Sequence, residues 1–139
     1  MKVHQEIVHA ATNGQGFVNV TREIESVVQA SKVRVGMAQV FVQHTSASLV
    51  IQENADPAVL RDLQRWMARI APEDAKAYEH DQEGDDDMPA HLRAAITKTG
   101  EMVPVRDGSL ALGTWQAIYV WEHRARPHRR SLVVTVTGE

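Results

Sequence analysis

Short apolar runs with period-two alternation, each closed by turn residues, recur along this chain and restrict its fold more than any other feature. Val33, Val35, Met37, Gln39 and Phe41 alternate with Arg34, Gly36, Ala38, Val40 and Val42, a run that reads as a strand covered on both faces. Residues 3–10 alternate more weakly and end at a turn carrying Asn13, Gly14 and Gly16. SASLVIQE, from Ser46 to Glu53, reads as a further strand. Val103 to Val105, the Asp107-Gly108 pair and the run from Leu110 to Glu122 spell a β-hairpin, because Asp-Gly suits the positive-φ positions of a tight primed turn. Ser131 to Thr137 makes the last strand.

Three stretches have helical spacing instead. In TREIESVVQASK, Thr21 can act as a cap, Ile24, Val27 and Val28 share one face, and acids in the first turn suit the helix dipole. Asp56 and Pro57 supply a cap and a first-turn proline for the second helix. Its Val59, Leu60, Leu63, Trp66, Met67 and Ile70 form one stripe that stops before Pro72. The third is MPAHLRAAITK, with Asp87 as cap, Gly100 as stop and His91 in the first turn. About three helices with six or seven strands, mostly in hairpins, imply an antiparallel α+β fold rather than a doubly wound sheet. At 139 residues, 43% apolar and 24% charged, with no repeat or linker, the chain reads as a single domain over 1–139.

Cysteine is absent, so disulfides and thiolate chemistry are excluded and any metal must be held by nitrogen and oxygen. The start MKVHQEIVHAAT lacks the apolar stretch of a signal peptide, and no run approaches the ~20 apolar residues of a membrane span. A cytoplasmic protein with no membrane partner is therefore expected. A formal charge of −3 and the lack of an aromatic-basic stacking pattern argue against nucleic acid as a partner. The local distribution of charge says more than the sum. Six of the nine residues from Glu79 to Asp87 are acidic, whereas Arg124, Arg126, Arg129 and Arg130 cluster with His123 and His128. Either cluster taken alone is also what a solvated surface looks like.

Three segments carry polar residues that core packing does not require. In HTSASLVIQENADP, His44, Thr45, Ser46 and Ser48 interrupt an apolar strand, and Glu53, Asn54 and Asp56 crowd the next helix start, which capping alone also explains. In YEHDQEGDDDMPAH, His80 and His91 flank the acidic loop, where Asp85 to Asp87 could hold a hard divalent ion and, through it, a phosphate or diphosphate. Along GTWQAIYVWEHR, Gln116, Glu122 and Arg124 share a face with Ile118 and Val120, and Trp115, Tyr119, Trp121 and His123 share the other.

In this order and at this spacing the three segments resemble the motif blocks of the YjbQ family, described as secondary thiamine-phosphate synthases. The resemblance runs from about residue 3 to the end of the chain. It implies a small α+β fold assembling as a homotrimer, with a polar site near the subunit boundary where histidines bind a metal such as zinc. By position, His44, His80 and His91 match the family histidines and are the implied metal ligands; Glu53, Asn54, Asp56, Glu83, Gly84, Asp85 and Gln116 match other motif positions. Where the family pattern commonly reads Asp-Asn before Met-Pro-Ala-His, this chain has Asp86 and Asp87, which adds charge.

The implied reaction joins a hydroxymethylpyrimidine diphosphate to a thiazole phosphate with loss of diphosphate. On that reading Glu53, Glu83 and Asp85 are the catalytic carboxylates. Ser46, Asn54, Asp56, Gly84, Asp86, Gln116, Arg124 and Arg130 hold substrate, with Arg129 a further candidate for a phosphate. Magnesium would accompany the diphosphate beside Asp85 and Asp86. The expected partners are a small phosphorylated metabolite and further copies of this chain. Two other functions fit the same residues: a trimeric metal- or metabolite-binding protein without dedicated catalysis, and a metal-dependent phosphoester hydrolase.

Overall fold

Strands rich in β-branched residues leave every backbone N–H and C=O in search of a partner, and here two antiparallel sheets supply them. The computed structural model describes residues 1–139, the side chain of Ala75 excepted. In chain order the elements are β1 (Lys2–Asn13), β2 (Gly16–Asn19), α1 (Thr21–Ser31), β3 (Val35–Val42), β4 (Ala47–Glu53), α2 (Pro57–Ile70), a 3-10 turn (Ala75–Ala77), α3 (Asp87–Ile96), β5 (Gly100–Arg106), β6 (Ser109–Leu110), β7 (Gln116–Glu122) and β8 (Pro127–Gly138). One sheet runs β1-β8-β3-β5-β6 and the other β2-β7-β4, with every pairing antiparallel. The fold is therefore α+β with three α-helices among the described residues, and none of them is long and apolar enough to cross a membrane.

The core forms where alternate residues of both sheets meet α1. Ala38, Val40 and Val42 of β3, Leu132, Val134 and Val136 of β8, and Val103 and Val105 of β5 pack with Ile24, Val27 and Val28 of α1. The inner face of the second sheet adds Ala47, Leu49, Ile118 and Val120 to the same cluster. On its other face Phe17 stacks on Trp121 with ring centroids 4.6 Å apart, and Trp121 Nε1 donates to Gln64 Oε1 of α2 at 2.8 Å. β7 is thus covered on both sides, which places its polar residues Glu122 and the adjoining His123 in the interior.

Several expectations change. β3 is buried on one face only: Val35, Met37, Gln39 and Phe41 point outward and are exposed, because nothing among the described residues covers the outer side of the five-stranded sheet. Val3, Ile7 and Met102 share that exposure. The Asp107-Gly108 turn is present, with φ of 53° and 81°, but it joins β5 only to the two residues of β6. The chain then leaves the first sheet, and β7 pairs with β2 and β4 in the second. α1 begins at Thr21 without a side-chain cap bond, and Asn19 Oδ1 accepts from the Thr21 amide instead.

α2 starts as the sequence implies, with Asp56 Oδ1 accepting from the Ala58 amide at 2.9 Å. Of its apolar stripe only Met67 is fully buried, while Trp66 and Ile70 stay 46% and 47% exposed. α3 begins at Asp87, so His91 is its fifth residue and lies past the first turn. Asp86 occupies the cap position without making a cap bond; its Oδ2 accepts from Arg124 Nε at 2.9 Å and from the Ala125 amide at 2.8 Å.

Candidate metal-binding site

The loop before α3 has to turn sharply, and Gly84 allows this with a φ of 103°. Its carbonyl accepts from the Asp87 amide, which brings His80 back over the start of α3. Asp87 and His91, four residues apart, face the same side of that helix. Among the described residues, the ligand-type atoms of His80, Asp87 and His91 all lie within 4.8 Å of one another. Asp87 is the hub. Its Oδ2 is 2.6 Å from His80 Nε2 and 3.3 Å from His91 Nε2, and its Oδ1 accepts from Arg124 Nη1 at 2.8 Å. Burial favours the protonated form of Asp87, but the bond from His80 and the charge of Arg124 outweigh it and hold the carboxyl below its usual range. Asp86 is depressed as well: its burial is outweighed by the Ala125 amide and by Arg124.

His91 is oriented through its other nitrogen, since Nδ1 lies 3.2 Å from the Thr45 carbonyl and must donate to it. With Nδ1 donating there, Nε2 is the nitrogen that faces the Asp87 carboxylate, at a distance that a shared proton or a shared metal ion can bridge. A backbone carbonyl on Nδ1 is the usual support of a metal-binding imidazole. Two nitrogens and one buried carboxylate also suit zinc or a related divalent ion, so the residues fit the metal that the motif resemblance implies.

His44 takes a different place from the one expected of a third imidazole ligand. It stands outside the group of atoms within 4.8 Å, and Asp87 is the third member in its stead. The His44 Nδ1 accepts from the Ser46 amide at 3.0 Å and from Ser46 Oγ at 2.9 Å. Burial and the charge of Arg130 keep its pKa below the ordinary histidine value. His44 and His91 line one cleft of about 330 Å³ together with Thr45, Ala94, Ala95 and Thr99.

Two of the arginines expected to hold phosphate, Arg124 and Arg130, are already engaged, whereas the Arg129 side chain is exposed on β8 and makes no hydrogen bond or ion pair among the described residues. Arg130 is buried and bonds both oxygens of Glu122, a fully buried carboxylate that also accepts from Thr12 Oγ1 at 2.6 Å. Burial raises the Glu122 pKa, but the bonds from Arg130 and Thr12 bring the net shift below its usual value. Arg130 Nη2 also donates to Ser46 Oγ at 3.1 Å. Besides the two aspartates, Arg124 donates to the Glu83 carbonyl at 3.1 Å, and the Glu83 carboxylate lies 3.9 Å from His80. Asp85 is exposed and makes no hydrogen bond or ion pair among the described residues.

The remaining candidates lie elsewhere. In the β4–β7 ladder Ala47 pairs with Glu122 and Glu53 with Gln116, so Glu53 and Gln116 sit six residues from the histidine end. At ~3.3 Å per residue that is roughly 20 Å. Glu53 accepts from the Asp56 amide, Asn54 donates its amide to the Trp115 carbonyl, and Gln116 Oε1 accepts from Gly113. Within one protomer these four residues form a second polar group, apart from the histidines. Glu122 and Asp87 are two buried carboxylates that did not stand among the catalytic or metal-binding residues implied by the motif resemblance. The spacing of Asp87 and His91 was a usable signal, whereas nothing local marks Glu122 as the partner of Arg130.

Fold and site together define a class: an α+β protein of two antiparallel sheets that presents two histidines and a buried aspartate at the edge of a small cleft. The chain belongs to the YjbQ family, because the family model described as UPF0047 protein YjbQ-like matches residues 5–139. It is 55% identical over 136 residues to the UPF0047 protein sll1880 of Synechocystis, covering 98% of this chain and 92% of that protein. The UPF0047 protein YjbQ of Escherichia coli O157:H7 is 38% identical over 137 residues, covering 98% and 99%. In three dimensions the chain is similar to a YbjQ-like protein of unknown function from Sulfolobus solfataricus, with a TM-score of 0.90, 27% identity and 99% of each chain covered.

Proposed function

We propose that this protein is a divalent-metal-dependent enzyme acting on a small phosphorylated metabolite, with His80, Asp87 and His91 as the metal ligands. The observation that carries the reading is the approach of two imidazoles and one buried carboxylate to a common point beside a cleft. A divalent ion held there supplies positive charge for a phosphate or diphosphate oxygen. Arg124 keeps Asp87 ionised and oriented, and the Thr45 carbonyl aims the His91 lone pair. The specific reaction proposed within this class is the joining of a hydroxymethylpyrimidine diphosphate to a thiazole phosphate, zinc or magnesium assisting.

A second reading, hydrolysis of a phosphate ester, is favoured by one observation. Among the described residues no guanidinium lines the cleft, and Arg124 and Arg130 are both bound to carboxylates, so neither is free to hold a second phosphate there. The chain is further proposed to act as a homotrimer, which the outward-facing Val35, Met37 and Phe41 of the five-stranded sheet support.

Calorimetric titration of the purified, metal-stripped protein with zinc, followed by assays of thiamine phosphate formation and of phosphate release from a monoester, tests the reading. One ion per protomer is expected, with at least about a tenfold loss of affinity in Asp87→Ala. Equal uptake by that variant and the wild type sinks the ligand assignment.

A further inference from the structure

The imidazoles of His44 and His91 line the same cleft, and their hydrogen bonds give them opposite polarity toward it. For His91 the Thr45 carbonyl requires a proton on Nδ1, so Nε2 is the nitrogen that can offer a lone pair to a metal. For His44 the reverse holds. The Ser46 backbone N–H can only donate, and at 3.0 Å it finds His44 Nδ1, which therefore carries no proton. Ser46 Oγ adds a second donor: it accepts from Arg130 Nη2, a group with no lone pair, so its own hydrogen is free for His44 Nδ1 at 2.9 Å. Turning the ring over would set a carbon-bound hydrogen against both donors, so the orientation is as firmly fixed as the tautomer.

The proton of the neutral ring must then lie on Nε2, which has no hydrogen-bond partner in the chain among the described residues. Coordination of a metal through Nε2 would need the proton on Nδ1, where it would collide with the Ser46 amide hydrogen. The chain of constraint begins deeper in the fold. Glu122, fully buried, holds Arg130; Arg130 holds Ser46 Oγ; Ser46 sets His44.

We infer that His44 is a substrate-positioning donor and not a metal ligand: its Nε2–H binds an anionic oxygen of an oxoacid ligand, such as a phosphate, seated in the cleft. The Ala94 and Ala95 methyl groups form an apolar wall for the rest of such a ligand, and no arginine or lysine competes for the anion there. The inference rests on the proposed reading of this cleft as the substrate site, but the tautomer itself does not.

Three measurements test it, using the full chain, inorganic phosphate as the probe, and the variants His44→Leu, which removes the donor, and His44→Gln, which restores an N–H at a similar reach. Long-range 1H–15N NMR at neutral pH should give His44 a pyrrole-type Nε2 and a pyridine-type Nδ1, assigned by their loss in His44→Gln. Zinc titration should show wild-type affinity in both variants. Phosphate titration, with and without zinc, should show a loss of about ten- to hundredfold in His44→Leu and substantial recovery in His44→Gln. A protonated Nδ1, loss of zinc uptake in either variant, wild-type phosphate affinity in His44→Leu, or no phosphate binding by the wild type overturns the inference. Failure of the wild type to take up zinc overturns the metal reading alone; the NMR result and the zinc-free phosphate titration then decide the role of His44.

Discussion

His123 should make the protein sensitive to mild acid. It is fully buried, with Nε2 2.8 Å from Ser48 Oγ and Nδ1 lacking a hydrogen-bond partner among the described residues. Burial, and then the positive charge of Arg93, push its pKa from 6.5 down to about 3. Between those two values the unfolded chain binds a proton that the folded chain refuses. The stability contributed by the neutral ring is therefore fully present above pH 6.5 and is lost progressively as the pH falls toward 3. Each unit in that window costs ~1.4 kcal/mol, so a drop from 6.5 to 5 removes about 2 kcal/mol through His123 alone. Against a domain stability of ~5–15 kcal/mol this is a large share. His44 shifts in the same direction, so the effect of His123 has to be isolated by substitution. His123→Gln keeps an amide for Ser48 and cannot titrate. Urea unfolding at fixed protomer concentration should show the wild type losing about 2 kcal/mol more than the variant between pH 6.5 and 5. Parallel stability curves for the two proteins would refute the argument.

Two further outcomes follow from the buried pair and the outer sheet face. Glu122→Gln leaves Arg130 charged in the interior and should cost about 3–5 kcal/mol in urea unfolding; a change below about 1 kcal/mol would show that the pair is not a stabilising element. Phe41→Glu sets a charge in the middle of the exposed apolar face of β3 and should convert the proposed homotrimer to monomers in sedimentation equilibrium with the circular dichroism unchanged. Trimers that persist in the variant would remove this face from the interface.

Much of the fold is written in local chemistry. Asp56-Pro57 announces α2 because a cap and a ring-fixed φ act on the first turn alone, and Asp107-Gly108 announces its turn because few other pairs tolerate two positive φ angles. The destination of β7 was not legible, since the strand after that turn can return to either sheet and the residues from Ala111 to Trp115 do not record which. The two apolar faces of β3 misled for another reason. Alternation reports that a face avoids water, not whether this chain or another provides the cover.

The site divides along the same line. Asp87 and His91 are four residues apart on a helix, so their meeting follows from helical geometry; His80 joins them only because the loop turns at Gly84. The role of His44 was beyond residue type altogether. A histidine in a motif reads as a ligand, and only the amide of Ser46, at a distance no sequence records, reveals which nitrogen carries the proton.

The relay from Glu122 to His44 separates two kinds of substitution in this chain. Exchanges at Ala94, Ala95 or Thr99 reshape the container while its hydrogen-bonding sign stays constant, so new ligands of the same charge type become accessible by surface change alone. Reversing that sign while keeping the His44 ring would require moving the Ser46 segment, which Arg130 and Glu122 anchor in the interior. The shape of the cleft can therefore be altered without touching the core, whereas the polarity of the His44 ring is tied to it.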